Sequence, residues 1–354
     1  MSEPTWPYIL NQLLAGENMS RDESSWAMRE IMNGNATEAQ MGAFMMALRS
    51  KAETVQELAG LVDVMLENAV LLETGNDAVD IVGTGGDMFG TVNISSMASI
   101  VAAASGVPVL KHGSRSASGK TGASEMLEVL GIRLDLSPQQ VAKVFSQTGI
   151  TFFFAPVFHP AMRHVAPVRK QLGIPTTFNF LGPLANPVQP LATALGVSDK
   201  KGAPLMAKEL SARGRTGLVF RADDGMDELS TTSENSIWEV FQGEIREHRI
   251  SADDLGLKTT DISELLGGDA RHNAHVASSL FAGDKFDNAE AIRDMVALNA
   301  AAGLVSYELA KNPSAVEKNL VVRLSIALEK TMESIKTGTA GNKLEEWTKA
   351  SHSA

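Results

Sequence analysis

The sequence predicts an α/β protein. It has a small all-helical N-terminal domain over residues 1–72 and a larger α/β domain over residues 73–354, with a mostly parallel central sheet. Three observations predict this. Capping boxes followed by apolar residues at spacings of three and four fill the first segment. From Asp77 onward, short β-rich runs alternate with helical stretches. Glycine-rich segments follow the first two of those runs, where each strand hands over to a helix.

In the helical domain, Ser20-x-x-Glu23, Thr37-x-x-Gln40 and Thr54-x-x-Glu57 mark helix starts. Behind them lie Trp26, Ile31 and Met32, then Met41, Phe44, Met45 and Leu48, then Leu58, Leu61, Val62 and Met65. Each set forms one buried stripe, and the methionines read as adaptable core filler. In the second domain the β-rich runs are 79–82, 107–110, 150–154, 193–197 and 216–220. Helical patterns occupy 96–105, 123–130 and 138–147, the last with Ser137 as cap and Pro138 at its first position. Residues 156–190 carry prolines at 156, 160, 167, 175, 183, 187 and 190. They read as an irregular segment that crosses between the domains and joins the helical one. Residues 236–240 and 244–250 form a hairpin about Gln242-Gly243, and 289 to about 336 is helical.

Composition narrows the function. A chain of 354 residues with 44% hydrophobic and 21% charged residues has enough apolar side chains for a core and is not a disordered chain. A net charge of −11 argues against nucleic acid as a partner. The absence of cysteine excludes disulfides, thiolate catalysis and Cys-ligated zinc. The first 16 residues lack the basic flank and apolar core of a secretory signal. The most apolar stretch, 97–110, is interrupted by Ser99, Ser105, Gly106 and Pro108 and falls short of the roughly 20 residues a spanning helix needs. A cytoplasmic protein with no membrane partner is expected.

The first glycine segment runs Asp80-Ile-Val-Gly-Thr-Gly-Gly-Asp87 and continues Gly90-Thr-Val-Asn-Ile-Ser-Ser96. A dinucleotide fingerprint would need glycine at Met88. What remains is bare backbone beside a carboxylate, leading to a helix start whose N–H groups and hydroxyls suit an anion. The same Asn93 and serines would serve equally as ordinary N-caps. The second segment runs Lys111-His-Gly-Ser-Arg-Ser-Ala-Ser-Gly-Lys-Thr-Gly122, and Ser114 stands where a nucleotide-binding P-loop would have its first glycine. Lys111, Arg115 and Lys120 make it a basic loop suited to a polyphosphate, or a plain solvated loop. In sheets of this kind ligands sit at the carboxyl ends of the strands, where both segments fall. Asp223-Asp-Gly-Met-Asp-Glu-Leu229 is either a polar loop or, through Asp227 and Glu228, a Mg²⁺ site, since Mg²⁺ takes carboxylates together with substrate phosphates.

These motifs, with Phe178-Asn-Phe-Leu-Gly-Pro-Leu-Ala-Asn-Pro187 and Asp224-Gly-Met-Asp-Glu-Leu-Ser230, occur in the order that characterises the anthranilate phosphoribosyltransferases, and the chain resembles that family over nearly its whole length. The resemblance implies a homodimer with the active site between the two domains. It also implies transfer of the phosphoribosyl group of phosphoribosyl pyrophosphate (PRPP) to the amine of anthranilate. On that resemblance Gly83, Gly86, Asp87, Thr91, Asn93, Ile94, Ser95, Ser96, Lys111, His112, Gly113, Ser114, Arg115, Ser116, Ala117, Ser118 and Gly119, with Ala123 at the loop edge, bind substrate. Ser95, Asp227 and Glu228 hold Mg²⁺, and Gly83 and Arg169 contact anthranilate. Asp87, Lys111 and Glu228 are the candidate catalytic residues. Ser114 departs from the family's usual Asn, which contacts the acceptor, and Ala123 departs from a frequent Ser. A pyrimidine nucleoside phosphorylase of shared architecture and a non-catalytic nucleic-acid-binding relative are the rival readings.

Overall fold

The computed structural model describes residues 4–115 and 121–354. The predicted loop residues 116–119 therefore lie outside the described residues. Helices α1 (Trp6–Leu14), α2 (Arg21–Met32), α3 (Glu38–Lys51) and α4 (Val55–Glu67) build the N-terminal unit. All three predicted capping boxes form, with each cap side chain accepting an N–H three residues on and the third-position Glu or Gln answering the cap N–H.

The second unit begins with β1 (Val79–Gly83), α5 (Ile94–Ala104), β2 (Val109–Gly113), α6 (Ala123–Val129), α7 (Pro138–Thr148) and β3 (Ile150–Phe154). The 156–190 segment, expected to be irregular, instead contains α8 (Ala155–Phe158), a 3₁₀ turn, α9 (Ala166–Leu172) and α10 (Phe178–Leu184). Its prolines 156, 160 and 167 fall in first turns, where a missing N–H goes unnoticed, so they start helices rather than forbid them. Then come β4 (Ala192–Gly196), α11 (Gly202–Ala212), β5 (Thr216–Ala222), β6 (Asn235–Phe241) and β7 (Glu244–Ile250). The predicted hairpin turn at Gln242-Gly243 has positive φ at both residues. Helices α12 (Ala270–Ala282), α13 (Ala289–Lys311), α14 (Leu320–Lys336) and α15 (Thr339–Ser353) complete the chain. The sequence pattern missed the first and last of these four.

The seven strands form one sheet in the order β3-β2-β1-β4-β5-β6-β7. The first five are parallel, and β6 and β7 are antiparallel. Connections from β1 run outward through β2 to β3, whereas β4 returns to the other side of β1. That reversal opens a crevice at the carboxyl ends of β1 and β4.

Strand alternation divides the buried side chains between two cores. Ile81, Leu218 and Phe220 face one cluster with α5 and α13. Val82, Leu195 and Val219 face a second. The second cluster also takes Phe44, Met45 and Leu61 of the N-terminal helices, and Val168, Phe178 and Phe180 of α9 and α10. No helix among the described residues is long and apolar enough to cross a membrane.

Candidate active site

Gly83 and Gly196 end β1 and β4 and are register partners across the reversal point. A Cβ on Gly83 would meet Asp227 Oδ2 at 2.2 Å, and one on Gly196 would meet the Asp227 carbonyl oxygen at 1.6 Å. Bare backbone at both strand ends lets the loop after β5 fold down into the crevice. The glycine segment after β1 turns through positive φ at Gly85, Gly86 and Gly90, and also at Met88. Gly85 N–H donates to Asp227 Oδ2 at 2.7 Å, which ties the two loops together.

The result is a cleft of about 760 Å³. The predicted residues Gly83, Gly86, Asp87, Thr91, Asn93, Ile94, Ser95, Lys111, His112, Gly113, Ser114, Arg115, Ala123, Arg169, Asp227 and Glu228 all line it. Ser96 does not. It is one residue, about 100°, further round α5 than Ser95, and its hydroxyl is buried without a partner among the described residues.

Carboxylate oxygens of Asp87, Asp227 and Glu228 lie within 4.8 Å of one another. Burial and then the Asp87 charge push the Asp227 carboxyl up to about 7. Burial followed by its acidic neighbours raises Glu228 well above the carboxylate range, and burial raises Asp87. Glu228 Oε2 is shielded from solvent without a hydrogen-bond partner among the described residues. Hard oxygen donors held together against their own repulsion, one of them orphaned, fit a divalent cation of the Mg²⁺ type. The rest of the acidic run has other work. Asp223 pairs with Arg249, and Asp224 accepts from Met226 N–H at 3.0 Å.

Lys111 is a correction. The sequence reads it, with His112 and Gly113, as part of a basic loop, but the three residues belong to β2 and pair with Phe152, Phe153 and Phe154 of β3. The Lys111 side chain is 1% exposed, and Nζ donates to Ile81 O at 2.6 Å and to Ser95 Oγ at 3.3 Å. Burial pulls its pKa down to about 8 against the charges of Asp80 and Glu228. The ammonium therefore lies beneath the α5 N-terminus and faces the cleft through Ser95. Arg115, by contrast, pairs with Glu128 and stacks on Phe154. Arg169 of α9 reaches Asn179 Oδ1 at 3.5 Å and makes no ion pair among the described residues, which leaves a half-buried guanidinium able to receive a carboxylate.

His112 serves the scaffold. A carbonyl only accepts, so Nδ1–H donates to Gly182 O at 2.9 Å, and the ring lies 5.1 Å from His159. Burial, then the His159 charge, pushes its pKa down to about 3. The unfolded chain takes up a proton below its free value of about 6.5 that the folded chain refuses, so this contribution is complete above that pH and is lost as pH falls toward 3. The loss approaches about 1.4 kcal/mol per pH unit. We expect the melting temperature of His112→Gln to fall less steeply between pH 6.5 and 4.5 than that of the wild type. Parallel curves would dismiss the assignment.

Sequence reasoning missed a strap, residues 265–268, that closes one wall. Thr91 bridges Leu266, Val92 N–H donates to Leu265 O at 3.0 Å and Gly267 N–H to Gly90 O at 2.9 Å. Asn273 behind it also lines the cleft. The only available signal was Gly267-Gly268 followed by Asp269, a helix cap, and nothing local linked it to a segment some 175 residues earlier.

The comparisons with known proteins converge. A model described as glycosyl transferase family, helical bundle domain, matches residues 7–69, and one described as glycosyl transferase family, a/b domain, matches 75–341. The anthranilate phosphoribosyltransferase of Leifsonia xyli is 52% identical over 351 residues, covering 99% of each chain. That of Clavibacter michiganensis is 46% identical over 350 residues, also covering 99% of each.

The chain belongs to the anthranilate phosphoribosyltransferase family.

The Thermus thermophilus anthranilate phosphoribosyltransferase superposes with a TM-score of 0.85 at 36% identity, covering 97% of this chain and 99% of that one. The Saccharomyces cerevisiae anthranilate phosphoribosyltransferase in complex with PRPP and Mg gives 0.86 at 26% identity, covering 100% and 99%.

Proposed function

We propose that this chain transfers the phosphoribosyl group of PRPP to the amine of anthranilate and releases pyrophosphate, in tryptophan biosynthesis. The observation that carries the proposal is one cleft holding three parts: the carboxylate trio, the glycine-lined α5 N-terminus, and an Arg169 without a carboxylate partner among the described residues.

In the reaction the bond from the sugar carbon to pyrophosphate breaks and the amine nitrogen takes its place. Two needs follow: stabilising the departing pyrophosphate and presenting the nitrogen to the carbon as positive charge grows there. Backbone N–H groups around Gly86 and Asn93, with Ser95 backed by Lys111, meet the first. Arg169 meets the second by holding the acceptor carboxylate, so that amine and sugar stay in contact. An aromatic amine is neutral at pH 7, so no strong protein base is required. Asp87, Asp227, Glu228 and Ser95 would hold Mg²⁺, which supplies charge neutralisation to the diphosphate when bound. Ser114 at the mouth would face the acceptor with a hydroxyl.

The domain reading places residues 1–72 in the helical domain, joined by part of 160–190, and residues 73–354 in the α/β domain. The shared cluster of Phe44, Val168 and Phe178 supports it. Exposed Tyr8, Leu14 and Met46 on α1 and α3 support a homodimer through the helical domain, checked by light scattering. A cytoplasmic location agrees with a biosynthetic activity.

The test is the loss of anthranilate fluorescence on mixing protein, PRPP and Mg²⁺, with EDTA as control. Fast, metal-dependent loss is expected. Phosphate-driven cleavage of a pyrimidine nucleoside in its place would overturn the proposal in favour of the phosphorylase. Arg169→Gln is expected to raise the anthranilate KM about 10- to 100-fold, the worth of one charge-assisted hydrogen bond, and to leave the PRPP KM unchanged. Equal changes in both would remove Arg169 from the acceptor site.

A further inference from the structure

The strap and the phosphate-side turn meet at one buried asparagine. Asn273, in the first turn of α12, is 1% exposed. Gly268 N–H donates to its Oδ1 at 2.8 Å, and a backbone N–H can only donate, so the other atom of that amide is Nδ2. Nδ2 donates at 2.8 Å to Asn93, and that contact must be to Asn93 Oδ1, because Nδ2 can only donate. The Asn93 Nδ2 then faces Thr121 O at 3.4 Å, an acceptor, so the chain is consistent at both ends. The amide orientations are fixed by backbone groups rather than by choice. Gly267 carries no Cβ because one would meet Asn273 Oδ1 at 2.7 Å and Thr91 O at 2.8 Å. Asn93 makes no side-chain cap bond to α5, and the second hydrogen of its Nδ2 has no partner among the described residues. Asn93 lines the cleft.

We infer that Asn273 is a positioning residue for the phosphoribosyl donor: it holds the Asn93 amide so that an N–H, rather than the carbonyl oxygen, is offered to the donor's phosphates. The inference rests on the reading of the cleft as a PRPP site. An Asn93 amide turned the other way would present an oxygen to an anion. An Asn93 free to turn would lose part of its binding to disorder.

The isosteric Asn273→Asp is the direct test. Its carboxylate still accepts from Gly268 N–H but repels Asn93 Oδ1, which forces the Asn93 amide to turn over. Calorimetric titration with PRPP and Mg²⁺ is expected to show affinity weakened about tenfold, with anthranilate affinity nearly unchanged and the melting temperature lowered by the buried carboxylate. Neutral Asn273→Leu should weaken PRPP binding in the same direction.

In an Asn93→Ala background, Asn273→Asp should add less than about a twofold change, because the residue acts through Asn93. A through-space effect of the new charge would persist there and overturn the inference, as would unchanged PRPP affinity in Asn273→Asp. Hydrogen exchange of the unliganded protein separates the two readings. If the wild type binds no PRPP, the functional reading falls. Faster exchange at residues 91–96 in Asn273→Asp would still support the positioning of Asn93, and unchanged exchange there would overturn it.

Discussion

Glu228→Gln is expected to raise the melting temperature while lowering turnover about 100- to 1,000-fold, the worth of several kcal/mol of charge stabilisation. The two effects share one cause. Asp87, Asp227 and Glu228 crowd their oxygens within 4.8 Å, and Glu228 Oε2 has no donor among the described residues. Without a cation this arrangement opposes folding through desolvation and like-charge repulsion. Glutamine keeps the volume and removes the charge, so the fold gains by about 1 kcal/mol or more. On the proposed reading it also removes a hard anionic ligand, so Mg²⁺ affinity is expected to fall with activity. Differential scanning fluorimetry with and without Mg²⁺ reads both: the wild type should gain stability on adding the ion, and Glu228→Gln should start higher and gain less. A variant that is less stable, or that keeps wild-type turnover at ordinary Mg²⁺, would remove Glu228 from the metal site.

Gly196→Ala is expected to lower kcat/KM about 100-fold and to destabilise the protein by about 1–3 kcal/mol, although Gly196 touches no substrate in the proposed mechanism. The added methyl would sit 1.6 Å from the Asp227 carbonyl oxygen and 2.4 Å from its carbon. Backbone cannot rotate away as a side chain can, so the loop must retreat by more than about 1 Å, carrying Asp227 and Glu228 out of register with Asp87. Gly303→Ala is the contrast. There the new methyl meets side chains and no backbone: Ile81 Cδ1 at 2.5 Å and Cγ1 at 2.9 Å, and Val79 Cγ1 at 3.9 Å. That variant should lose stability but keep its KM for both substrates and its Mg²⁺ requirement. Equal activity losses in the two variants would mean that the Gly196 effect is general loosening and not displacement of the acidic loop.

Much of this was legible because the signals are local. A capping box needs only four residues, so Ser20, Thr37 and Thr54 announced their helices, and Gln242-Gly243 announced its turn. Asp227 and Glu228 were identified as a pair from adjacency. Lys111 was misplaced for a complementary reason: an apolar-run rule ends a strand at the first charge, and only the buried neighbourhood of Asp80, Ser95 and the Ile81 carbonyl makes a lysine tolerable inside β2. The proline-rich segment forms helices that its composition hides: prolines 156, 160 and 167 sit in first turns, where the rule against proline does not apply, and Pro183 falls near the end of the short α10.

The sequence by itself determined the two-part architecture, the parallel grammar of the sheet, the glycine turns and the family, since each follows from residue spacing or from motifs in order. The tertiary structure alone decided which charges meet. Asp87 joins Asp227 across 140 positions because Gly83 and Gly196 leave room for it. Asn93 is held from α12 through Asn273 because a strap folds back over its turn. Spacing along a chain sets local dihedrals and faces. Electrostatics and hydrogen bonding act over a few ångströms in space, and only the folded chain sets those distances.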